Sequence, residues 1–490
     1  MAVIRSLARS CSAPGDVRGT RFVHDLDAAE YLDGAHGDEG ALDGGWWPIP
    51  VQCGQIFAAY CGSSRCVTAQ THGRPNPLGT YAGAVSEVVQ SPEVLFLLGE
   101  LTTMVGREDP YPRYARLRQI SPVVRAQDGA LAVTGYADCA SVVRDGRFAH
   151  MPPDNLLAFV GFPDWREHPA LLHLFTSMIT LNPPDHTRLR RLVSSAFTAR
   201  RVQALRPAIE RMVDGLLDQL SGDVDFVESF AFPLPVNVIG ELLGIPVEDR
   251  GQFQSLVRDW AQVLEVISPE VVSRADPAAA TIRDYLAGLV EERRRRPADD
   301  LVSALVQAQA TDDRLSDEEV LSNAAFLFAA GFETTTNLLS NGLAALLAHP
   351  DQFKLLAENP ALAGPAVEEL LRFDSPVQIS SRVATERVEI GGVAVEEGER
   401  VIAYLGAGNR DPERFADPDC LQLDRPDNSP LSFGGGIHYC LGAPLARLEA
   451  QIAFPALVRR FPALAAAGPG QRRNSLTLKG FSSLPIRTTG

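Results

Sequence analysis

Cys440 stands between a glycine-dense loop, Phe433-Gly434-Gly435-Gly436-Ile437-His438-Tyr439, and a segment patterned as an amphipathic helix, Leu441-Gly442-Ala443-Pro444-Leu445-Ala446-Arg447. Glycines let a backbone turn tightly and approach a flat partner closely. Amides at a helix N-terminus placed beside a sulfur stabilise the thiolate and lower its pKa. A thiolate is the strong axial donor that an iron centre needs. An isolated cysteine in such a place reads as a structural thiol beside a turn; here the whole pattern from 433 to 447 favours the iron ligand. A second polar cluster, Glu333-Thr334-Thr335-Thr336, interrupts an otherwise apolar helical stretch, where burying it without purpose is costly. A third, Pro183-Pro184-Asp185-His186-Thr187-Arg188-Leu189-Arg190-Arg191, puts His186 and Arg190 four residues apart on one helix face. Such a pair can hold one carboxylate by charge-assisted hydrogen bonds, while Arg188 and Arg191 suit a solvated face.

The elements that must position these residues are mostly helical. Glu318 to Ala348 runs about 30 residues without an internal proline and is apolar on most faces, which predicts a helix buried in the core of a large protein. A long helical stretch is expected from Arg188 to Leu220, and a shorter one after Asp109-Pro110-Tyr111-Pro112 through Arg118, with Pro in its first turn. Val123-Val124-Arg125 and Leu131-Ala132-Val133-Thr134 read as a hairpin around Asp128-Gly129, and Arg387 to Ile390 as a strand before Gly391-Gly392. The last 60 or so residues predict a Gly-rich loop, a helix and a strand pair. No repeat of solenoid period occurs. The expected fold class is mainly α with small β-sheets, an α+β arrangement.

The segment around Cys440 resembles the haem-thiolate signature of the cytochrome P-450 family: Phe433, Gly436, His438, Cys440 and Gly442 at its spacing, then Leu445-Ala446-Arg447. The resemblance covers about residues 91–490, with further motifs in the same order. It implies the cytochrome P-450 fold, a long central helix over a haem, with haem b (iron protoporphyrin IX) as cofactor and Cys440 as the iron ligand. Ala330-Gly331-Phe332-Glu333-Thr334-Thr335 resembles the oxygen-activation motif: small residues leave room for a diatomic ligand, and Glu333 and Thr334 pass protons to it. Glu369-Leu370-Leu371-Arg372 resembles the family's structural Glu-x-x-Arg pair, with Arg414 or Arg425 as its third member. His186, Arg190, Arg382 and His438 are implied to hold the haem propionates. Asn409-Arg410-Asp411-Pro412 is similar to the meander before the haem loop. Departures are Asn182 where Asp often precedes Pro-Pro, Phe332 in the central motif, Leu421, and Pro430 where His is frequent.

The implied activity is a haem-thiolate monooxygenase that inserts one oxygen atom from O2 into a largely apolar small molecule. No flavin, nicotinamide or iron–sulfur fingerprint is present in the sequence, so electrons are expected from a separate ferredoxin and ferredoxin reductase, docking on Arg188, Arg191, Arg200, Arg201 and Arg447. The alternatives are a peroxide-driven or non-oxidative enzyme on the same fold, or a non-enzymatic haem protein that binds a small ligand. The intact Glu333–Thr334 pair argues against all of these. Specificity is expected from 151–181 (Leu156, Leu157, Phe159, Phe162), from Ala325 to Phe332, and from Val377 to Ser380, all largely apolar.

Across 490 residues, 45 Lys plus Arg against 61 Asp plus Glu give a net charge of −16, whose field repels nucleic acid. The best candidate for a membrane span, Val94 to Leu98 between Glu93 and Glu100, is far too short to cross a bilayer. Seven cysteines form no secreted disulfide framework, and a cytoplasmic monomer without membrane or nucleic-acid partners is expected. Residues 1–90 hold 12 of the 40 glycines and read as a loop-rich or disordered extension; the domain is placed at 91–490. Cys61, Cys66 and His72 lack a second pair and are read as unrelated thiols and imidazole rather than a zinc site.

Overall fold

Ser316 starts the element around which the rest is arranged. Its Oγ accepts from Glu319 N at 3.1 Å, and Glu319 Oε2 accepts from Ser316 N at 2.8 Å, a reciprocal cap. The helix it opens, Asp317–Ala348, is buried on nearly every face and packs against helices Pro233–Leu243, Ala363–Phe373 and Ala443–Arg460. Its span and its mostly apolar faces are what the sequence predicted, with the start one residue earlier, at Asp317. The computed structural model describes residues 91–309 and 315–488; the readings of residues 1–90, including Cys61, Cys66 and His72, lie outside the described residues.

The single helix expected from Arg188 to Leu220 is three: Asp185–Ala196, Ala199–Ala204 and Arg206–Leu217. Thr198 is extended, and its hydroxyl caps the second helix by accepting from Arg201 N at 3.2 Å. Pro207 sits in the first turn of the third, where its missing N–H costs nothing. Both breaks are local signals that the apolar periodicity obscured. Ion pairing of Arg188 with Glu319 then ties the first of these helices to the cap of the central one.

The expected small sheets form. Val123–Arg125 pairs antiparallel with Leu131–Val133, which runs parallel to Arg400–Tyr404; Ile379–Ala384 and Phe148–Ala149 complete five strands. Val388–Ile390 turns through Gly391 and Gly392, both at positive φ, into Val393–Val395. The C-terminal strand Pro485–Thr488 lies between Gly222–Asp225 and Ala465–Ala466, and Gln471–Arg472 pairs with Phe481–Ser483.

Glu369 and Arg372 are fully buried and joined by two hydrogen bonds of 2.7 and 2.8 Å. Arg425 completes the group, its Nε 3.1 and 3.2 Å from the Glu369 oxygens, while Arg414 instead pairs with Asp427 near the surface. Arg372 also donates to the carbonyls of Asn409, Pro418 and Cys420, which fastens the loop leading to Cys440 onto the helix Ala363–Phe373. Removing one member leaves buried charge and several orphaned carbonyls. Arg372→Ala is therefore expected to cost about 3–5 kcal/mol, and Arg414→Ala under about 0.5 kcal/mol, measured by urea unfolding.

Candidate active site

Cys440 N donates to Phe433 O at 3.0 Å and closes the glycine loop over itself. Gly434 and Gly436 have φ of +67° and +60°, and a Cβ on Gly436 would lie 2.8 Å from the carbonyl oxygen of Val143. The loop thus reaches the helix Tyr136–Arg144 only with glycine there. A short 3-10 turn, Gly436–His438, precedes the cysteine, and the helix Ala443–Arg460 follows it. The sulfur is half-buried because it faces a cavity, yet enough protein surrounds it that burial pushes its pKa up. The Gly442 and Ala443 amides and the charges of Arg190 and Arg447 pull it down. The helix-end effect expected from sequence is present, but burial outweighs it.

The cavity has a volume of about 600 Å³ and mostly apolar walls. Ala330, Gly331, Glu333 and Thr334 of the central helix line it together with Cys440. A Cβ on Gly331 would lie 3.1 Å from Ile239 Cδ1, so this glycine also lets the helix Pro233–Leu243 close in. Phe332 points away, packing edge-on against Phe232 with ring centroids 5.4 Å apart. Glu333 is 2% exposed and ion-paired with Arg473, whose guanidinium also lies 3.9 Å from Glu265. Glu333 Oε1 meets Arg473, and Oε2 has no hydrogen-bond partner among the described residues, so acceptor capacity remains. Thr334 Oγ1 donates to Ala330 O at 3.3 Å.

The cationic residues converge. The His186 and His438 rings are 4.1 Å apart, and Arg190 reaches across to Tyr439 O at 2.6 Å. Arg382, His438 and Arg190 line the same cavity as Cys440. Arg382 is buried and donates only to Ser380 Oγ and Ser381 O. Neither Arg190 nor Arg382 has a carboxylate partner among the described residues, and both nitrogens of His186 are buried without a hydrogen bond. Burial and the neighbouring positive charges lower the His438 pKa to about 3, and burial and Arg190 hold His186 below its ordinary value. Two uncompensated guanidiniums with idle imidazole donors fit a dianion, as the two carboxylates of haem b require. Burial alone also raises the pKa of Glu449, a cavity-lining carboxyl without a charge partner.

Residues of all three expected specificity segments reach the cavity, among them Leu156, Phe175, Met178, Phe326, Val377 and Ile379. Leu157, Phe162, Ala325 and Phe332 instead fill the core, and Phe159 is exposed. Gln378 is buried away from the cavity, donating to Ser375 O at 2.7 Å. Of the five arginines expected to form a basic dock, Arg188, Arg201 and Arg447 are ion-paired with Glu319, Asp299 and Glu368. Sequence reasoning missed Arg473 and His150, since no motif marks either; the one cue bearing on His150 was the unusual Asn182, 32 residues away.

Residues 158–485 match the sequence profile of the family described as Cytochrome P450. The chain is 42% identical to 6-deoxyerythronolide B hydroxylase of Saccharopolyspora erythraea over 78% of its own length and 96% of that protein's. It is 41% identical to cytochrome P450 monooxygenase PikC of Streptomyces venezuelae, covering 77% and 91%. Among solved structures it resembles P450BioI in complex with hexadec-9Z-enoic acid ligated acyl carrier protein. The TM-score is 0.73 and the identity 36%, with 79% of this chain and 100% of the other covered.

Proposed function

This chain belongs to the cytochrome P450 family of haem b monooxygenases, and from that premise we propose which of its residues carry the reaction and what kind of molecule it oxidises. The observation that carries the reading is one cavity lined at once by a thiol, an acid–alcohol pair and cations without carboxylate partners.

Bound haem b supplies the iron at which dioxygen is activated. Cys440 is its ligand: a thiolate donates strongly to iron, and the cation offsets the cost of burying that charge. Arg190, Arg382, His186 and His438 hold the two carboxylates. Glu333 and Thr334 deliver protons to the cavity. Arg473 compensates the buried Glu333 charge, and the Thr334 hydroxyl, anchored on Ala330 O, still has lone pairs with which to accept a proton before donating one.

The substrate is a largely apolar small molecule. Leu174, Phe175 and Met178, together with Phe326 of the central helix, line the cavity and support this. So does the likeness to a P450 solved in complex with hexadec-9Z-enoic acid ligated acyl carrier protein. Among the described residues no helix is long and apolar enough to cross a membrane. Electrons come from a ferredoxin and its reductase.

Purified enzyme, supplied with ferredoxin, reductase, NADPH and isotopically labelled dioxygen, is expected to place one labelled atom in the product. Ligands that displace iron-bound water, read from the Soret band, identify what to supply. Product formed without label, or only with added peroxide, would overturn the reading.

Thr334→Ala is expected to leave haem binding intact and to lower product per NADPH by about tenfold or more, with the lost reducing equivalents leaving as hydrogen peroxide. Unchanged coupling would remove Thr334 from the proton path.

A further inference from the structure

We propose that His150 is an additional donor to the haem carboxylates, carried into their pocket by a two-point backbone clamp from Asn182. The inference rests on the haem reading above. It adds a residue from a part of the chain that no motif marks.

His150 follows the edge strand Phe148–Ala149. Its ring stands edge-on to that of His438, with centroids 4.5 Å apart and planes at 83°, and it lines the same cavity as Arg190 and Arg382. Its Nε2 is buried without a hydrogen-bond partner. A buried imidazole nitrogen left idle costs free energy comparable to a lost hydrogen bond, so it calls for a partner. No carboxylate of the protein balances Arg190 or Arg382 among the described residues. The partner that suits both guanidiniums and the idle nitrogens of His150 and His186 is an anion entering from the cavity.

The clamp is specific. Asn182 Oδ1 accepts from His150 N at 2.9 Å, and Asn182 Nδ2 donates to His150 O at 2.8 Å. Asn182 O also accepts from His186 N at 3.0 Å. One residue therefore sets two of the three imidazoles, through its side chain on one and its main chain on the other. An aspartate could accept from His150 N but would have no N–H for the His150 carbonyl, and its charge would repel that oxygen. The asparagine that departs from the usual Asp-Pro-Pro pattern is thus matched to a histidine 32 residues upstream.

The test uses the haem-loaded enzyme and reads haem loss to an excess of apomyoglobin, together with the propionate bending band in resonance Raman spectra. His150→Leu is expected to lose haem about tenfold faster, equivalent to about 1.4 kcal/mol, and to shift that band. His150→Gln, which keeps a donor, is expected to restore most of the wild-type rate. Asn182→Asp leaves the ring in place but frees its backbone; it is expected to give part of the same acceleration and carries the test if His150→Leu does not fold. Wild-type rates and an unmoved band in these variants would make His150 a packing residue and overturn the proposal alone. A wild-type protein that takes up no haem would overturn the haem reading and this proposal with it.

Discussion

Cys440→Ser is expected to abolish the red-shifted Soret band of the reduced carbon monoxide complex that gives the family its name, and to lower product formation at least about a thousandfold, or about 4 kcal/mol of barrier. That band reports thiolate donation to iron. Serine is nearly isosteric, but its hydroxyl does not ionise readily, and burial that already opposes the thiolate opposes an alkoxide far more. Cys139 is the internal control. It is a free thiol too, but fully buried, with its sulfur 3.2 Å from Val133 O in the core under the five-stranded sheet. Burial pushes its pKa well up, and it lines no part of the cavity. Cys139→Ser should keep the band. A Cys440→Ser protein that keeps it would assign the ligand elsewhere.

Glu333→Gln is expected to lower the rate of product formation by about a hundredfold and to enlarge the solvent deuterium isotope effect, while the rate of the first reduction stays near wild type. The swap keeps shape and removes the exchangeable charge. Glu333 is suited to the task because Arg473 offsets its charge without saturating its oxygens. Glutamine would leave the Arg473 guanidinium nearest to Glu265, at 3.9 Å, so the protein should still fold; a circular dichroism spectrum like wild type checks this. A rate that falls without any change in the isotope effect would mean that Glu333 is structural.

What the chain determines by itself is whatever a short stretch of backbone encodes. The loop and helix around Cys440 follow from glycine freedom and helix-start chemistry, and the central helix from its cap and apolar faces. The placement of His186 and Arg190 on one helix face and the pairing of Glu369 with Arg372 follow from helical spacing. The breaks at Thr198 and Pro207 were just as local, but the apolar pattern ran through them and hid them. Tertiary structure decided the rest. Arg425 rather than Arg414 meets Glu369 from 56 residues away because the loop before Cys440 folds back that far. Arg473 reaches Glu333 from the C-terminal hairpin, and His150 reaches His438 from a sheet edge. In each case the partner is chosen by which charged or polar group is buried beside another. The cost of leaving a buried group unpaired is large and depends on distances that no spacing along the chain records.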